Sequence, residues 1–116
     1  GRPLPSTFQT AGELVYLVEG DRSEAVEAAI ARAAAGRVAR AARAWSGSPD
    51  AALSAASGCL GVEARTDALE LAEAAAPDGA GRSGYIVAIR REDRERLEET
   101  MSGLRVRWIG ETIRWR

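Results

Sequence analysis

The chain contains no lysine, no histidine and no asparagine, and its single cysteine is Cys59. These absences exclude much self-contained chemistry. Without lysine there is no Schiff-base or phosphate-loop lysine; without histidine there is no imidazole base and no Ser-His-Asp triad. Histidine-ligated zinc, a cysteine cluster and an internal disulfide are excluded in the same way. Catalysis by this chain alone would have to use carboxylates, hydroxyls, Tyr, Arg or Cys59, and the sequence singles out no catalytic residue and no metal ligands. Aromatic residues are scarce, at 5%. No uncharged apolar run is long enough to span a bilayer, so no membrane partner is expected. The start, Gly1-Arg2-Pro3-Leu4-Pro5, has no apolar core and reads as carrying no secretory signal.

What is present is a chain of 116 residues, 46% hydrophobic, in which 16 Arg face 17 Asp and Glu for a net charge of −1. This length suits one domain with its own core. The charge balance argues against a whole-domain electrostatic grip on nucleic acid. One unpaired cysteine fits a reducing cytoplasm, which is the expected location.

Residues 1–12 read as an extended N-terminal segment, and 13–116 as a single domain. Glu13-Leu14-Val15-Tyr16-Leu17-Val18 has the composition of a buried strand. Asp21 and Glu24 have capping-box spacing. Ser23 to about Trp45 reads as an Ala-rich helix with a stripe of Val26, Ile30, Ala34, Val38, Ala41 and Trp45, and Gly36 is the point where it would bend or split. Pro49 opens a helix over 50–57 that Gly58 closes. Val62 to Arg65 is a weak strand signal, and a short helix follows from Thr66 or Asp67 to Ala76, stopped by Pro77. Tyr85 to Ile89 is the second strong strand. Glu92 to Ser102 is a charged helix, Leu104 to Trp108 alternates as a half-buried strand, and Gly110-Glu111 turns into a last strand over 112–115. The segments VYLVEGDRSEAVEAAI and YIVAIRREDRERLEET echo each other as strand, acidic turn and helix. The expected fold class is α+β: a mixed four- to five-stranded sheet with helices packed on one face.

Several features could carry chemistry. Gly79, Gly81 and Gly84, with Arg82 and Ser83, form a Gly-rich loop whose amides and guanidinium could bind phosphate. The loop follows a helix and opens a strand, the reverse of a dinucleotide fingerprint, so a ligand-free turn is the competing reading. Arg105, Arg107, Trp108, Arg114, Trp115 and Arg116 interleave cations with indoles as single-strand binders do. An amphipathic hairpin with Trp inside accounts for them better, and nucleic acid is not an expected partner. Cys59 reads as a packed small residue. The mixed Arg and Glu run over 90–99 reads as a solvated helix face, and Asp50 and Asp78 as loop or cap carboxylates.

FQTAGELVYLVEGDRSE and SGYIVAIRREDRERLEETMSGLRVRWIGETIRW resemble the opening and closing parts of the C-terminal domain in the aminoimidazole-ribotide-synthetase-like superfamily, within it most nearly the phosphoribosylformylglycinamidine synthases of purine biosynthesis. AALSAASGCLGVEARTDAL is similar to the middle of that domain, and the Ile109-Gly110-Glu111 turn and the order of elements are the specific matches. Two departures accompany the likeness. The family's Asp-x-Ser-Asp-Gly-Gly-Leu stretch is replaced by Ala44-Trp45-Ser46-Gly47-Ser48-Pro49-Asp50, and the ATP-binding N-terminal domain is absent from this chain. The resemblance therefore implies a non-autonomous or degenerate domain of an ATP-using ligase. Such a domain would supply phosphate contacts and an association surface rather than complete catalysis. It would bind no cofactor alone, with ATP and Mg entering only beside an ATP-binding partner domain. A homo-oligomer or that partner domain is the expected company. A weaker likeness is to the C-terminal domain of GHMP small-molecule kinases, where a Gly-rich loop also precedes a strand, as in DGAGRSGYIVAI. A stand-alone, non-catalytic dimerisation or small-ligand-binding protein is the third reading.

Overall fold

A computed structural model describes residues 4–20, 22–46, 49–58, 60–64 and 83–114. In chain order the elements are β1 (Leu14–Glu19), α1 (Ser23–Ala35), β2 (Ala41–Ser46), α2 (Pro49–Ser57), β3 (Leu60–Ala64), β4 (Ser83–Ile89), a 3-10 turn (Arg91–Asp93), α3 (Arg94–Thr100) and β5 (Arg105–Arg114). The α+β class holds. The five strands form one curled sheet in the order β2-β4-β1-β5-β3, with the three helices packed against it.

The sheet is antiparallel at every pairing, not mixed. The reason lies in the crossovers. The β1-α1-β2 unit leaves a gap that β4 fills, and the β4-α3-β5 unit leaves a gap that β1 fills. Strands joined through a helix thus run the same way but are never neighbours. This is the interleaved split β-α-β arrangement. The two echoing segments of the sequence are its two strand-helix halves, and their strands β1 and β4 pair from Leu14 opposite Ile89 to Glu19 opposite Gly84.

Every residue of β1 is buried, as expected for a central strand covered on both faces. Alternation sends Leu14, Tyr16 and Val18 to one face, where Val26, Ala29, Ile30 and Ala33 of α1 and Leu97 of α3 meet them. Val15 and Leu17 point the other way, to Ile86, Ala88, Ile109, Trp45, Phe8 and Ala56 of α2. Helices therefore cover both faces, two on one side and α2 on the other, rather than one face alone. The N-terminal segment completes the second layer. The Phe8 N–H donates to the Ala56 carbonyl at 2.7 Å, and the Ala42 N–H donates to Pro5 at 3.0 Å.

The expected helix through Trp45 stops at Ala35. Arg37 has φ 59°, its N–H donates to the Ala34 carbonyl, and the Val38 N–H donates to the Ala33 carbonyl. That bond pattern is a Schellman stop, with Val38 and Ala33 both in the buried cluster on this face. The chain then turns onto the β4 edge as β2, with Ala41 opposite Ala88 and Trp45 opposite Gly84. The N-cap of α1 is Arg22, with Glu24 in the first turn at the positive end of the helix. Asp21 lies outside the described residues, as does the helix expected over 66–76.

The turn expected at Gly110-Glu111 is absent. β5 runs unbroken through it, and the pairing shifts from Val15 opposite Gly110 to Tyr16 opposite Trp108, leaving Ile109 as the extra residue of a β-bulge. Ile109 is buried there. Residues 105–114 are thus one strand and not a hairpin. Among the described residues no helix is long and apolar enough to cross a membrane.

Candidate functional site

Charged side chains converge at one end of the sheet, where β1 begins, β2 begins and β4 ends. Glu13 precedes β1 and is nearly fully buried. Its carboxylate accepts a hydrogen bond from Arg40 Nε at 3.1 Å, while Arg40 itself is 46% exposed. Thr112 locks the Glu13 backbone. Its hydroxyl accepts the Glu13 N–H at 2.9 Å and donates to the Thr10 carbonyl at 2.8 Å, and its own N–H donates to the Glu13 carbonyl at 2.9 Å. Burial pushes the Glu13 carboxyl above the usual range, against the opposing pull of the Arg40 hydrogen bond and of the Arg40 and Arg90 charges.

The second buried carboxylate at this end is Asp93, in the turn after β4. Arg90 Nε donates to it at 3.0 Å and Arg96 Nη1 at 3.2 Å. Arg96 Nη2 continues to the Gly36 carbonyl at 2.9 Å, tying α3 to the end of α1. Beside this network Arg91 bonds Glu111 on β5. Two buried anions thus hold three partly exposed guanidiniums along one rim, an arrangement that can orient cations toward an anionic ligand or partner.

The opposite end of the sheet carries what the described residues retain of the expected phosphate loop. Gly79, Gly81 and Arg82 lie outside them. Ser83 and Gly84 open β4, away from the arginine rim. Gly84 has a packing reason of its own: a Cβ there would overlap the Val18 carbonyl oxygen of β1. A hollow of about 100 Å³ lies next to it, lined by Ser23, Val26, Glu27, Ala44, Trp45 and Tyr85. A broader depression of about 500 Å³ beside the far edge is lined by Gly12, Glu63, Glu111, Thr112 and Arg114 among others. Glu63 and Glu111 sit directly opposite each other there on β3 and β5.

Other sequence candidates have structural roles. Trp108 is half-buried, donates Nε1–H to the Gly110 carbonyl at 2.8 Å, and lies under the Arg94 guanidinium, 5.0 Å from the ring centroid. Arg94 and Glu98 form an i,i+4 pair on the exposed face of α3. Cys59, Asp78, Trp115 and Arg116 lie outside the described residues. Among the described residues no three His, Cys, Asp or Glu side chains group so as to hold a metal ion.

Sequence reasoning missed the arginine rim. Arg40 is 27 residues from Glu13, and both look like ordinary chain punctuation. The available signal was charge at the boundaries of the two strongest apolar runs, Glu13 before one and Arg90 after the other. Comparison with known proteins finds no matching family model, no matching curated protein and no matching solved structure.

Proposed function

We propose that this chain is a non-catalytic domain that contributes oxyanion contacts and an association surface to a larger assembly. The observation that carries this reading is the commitment of the two buried acids at the arginine-rim end of the sheet. Glu13 and Asp93 are each engaged by arginine Nε groups rather than held free as proton acceptors. A general base must reach a substrate proton, and these two carboxylates face inward onto their cations. In a chain with neither lysine nor histidine, that leaves recognition as the chemistry this rim performs best. In the finer form of the proposal the assembly is an ATP-using, synthetase-like enzyme. That form draws on the sequence resemblance alone.

Incubation of the purified chain with ATP and Mg tests the proposal. No turnover above buffer is expected, and hydrolysis that tracks the protein through purification would overturn it.

A further inference from the structure

Building on that reading, we propose that Arg40 and Arg90 form a clamp for the phosphate group of a small phosphorylated ligand at the shared end of β2 and β4. The two residues are neighbours by topology. The Arg40 N–H donates to the Ala88 carbonyl at 2.8 Å immediately before β2, and Arg90 immediately follows β4. Each guanidinium is anchored through Nε, Arg40 to Glu13 at 3.1 Å and Arg90 to Asp93 at 3.0 Å. Among the described residues the Nη groups of both make no further hydrogen bond. The side chains are 46% and 44% exposed, so those N–H groups are open to a ligand.

The Nε anchors matter because a free arginine loses much rotamer freedom when it grips an anion. Here the buried carboxylates have already fixed the forks. The neighbouring arginines are committed elsewhere: Arg96 has both Nη groups bonded, Arg91 is paired with Glu111, and Arg94 stacks on Trp108. Both guanidiniums act on the same Glu13 carboxyl, and between them they offer several N–H donors at one strand end, which suits the three oxygens of a phosphate group better than the two of a carboxylate. The nearest competing anion, Glu92, lies 3.8 Å from Arg90 Nε on a side chain that is 70% exposed and free to swing aside.

The test is a titration of the full chain with inorganic phosphate at constant ionic strength and neutral pH, following the arginine Nε–H resonances by NMR. Saturable shifts at Arg40 and Arg90 are expected, with acetate binding more weakly. R90Q should weaken binding at least about fivefold, as expected for loss of a charge-assisted contact, while R107Q leaves it unchanged. If R40Q fails to fold, R90Q and R40K carry the comparison. Non-saturating shifts, equal affinity for acetate, or saturation at other arginines would overturn the clamp. Those results leave the non-catalytic reading intact, whereas ATP turnover would remove that reading and leave the clamp.

Discussion

Glu13 shows how position converts an ordinary side chain into a pH-dependent one. Its carboxyl titrates above 4.5 in the folded chain because burial outweighs its arginine neighbours. A raised acid favours folding while protonated, so its contribution is complete below 4.5 and is lost as pH rises through the folded value. The E13Q variant cannot titrate. Urea unfolding across this range should therefore show wild type losing stability relative to E13Q as pH rises, with the gap constant at higher pH. A gap of opposite slope would mean that the arginines dominate. Gly84 makes a second residue-scale case. G84A drives a methyl group into the β1 backbone, at a cost of upwards of about 3 kcal/mol, the top of the range for overpacking. G103A meets only an unfavourable φ of 88° with open space around it, and should cost about 1–2 kcal/mol. Thermal unfolding of the two variants ranks them.

Helix ends and strand starts carry the element-scale lesson. Arg37 occupies the left-handed position that glycine usually fills. R37G removes that strain but adds backbone freedom to the unfolded chain, for a net gain of about 0.5–1 kcal/mol in chemical denaturation. β1, β4, α2, β3 and the start of α1 are legible from apolar runs, Pro49, Gly58 and an acidic first turn. β2 is not, because Ala41 and Trp45 continue the helical spacing of α1 and alanine favours helix. What overrides it is tertiary: the β4 edge offers hydrogen bonds that residues 41–46 take once Arg37 ends the helix. The arginine rim was illegible for a related reason, since residues 13, 40, 90 and 93 meet only when three strand ends align. The N-terminal segment looked like a simple extended lead, yet Phe8 is buried against α2 and β4. F8A should cost about 3–5 kcal/mol in equilibrium unfolding, a figure typical of buried phenylalanine and far above any for a loose tail.

At the scale of the molecule, the connectivity dictates which parts depend on which. Among the described residues β1 pairs only with β4 and β5, β2 only with β4, and β3 only with β5. No two of the first three strands touch as a ladder, so a peptide of residues 1–64 has no sheet to form. It should show little ordered structure by circular dichroism alone, and gain it when residues 83–116 are supplied as a second peptide. A stable fold in the first peptide by itself would contradict the pairing scheme.

The same interleaving bears on how the chain is made. A ribosome makes β1, whose six residues are all destined for the interior, before it makes β4 and β5. Those partners arrive only with the last third of the chain. Throughout that interval an unpaired, apolar ribbon stands exposed, and it invites capture by holdase chaperones or by the nascent ribbons of neighbouring copies on the same message.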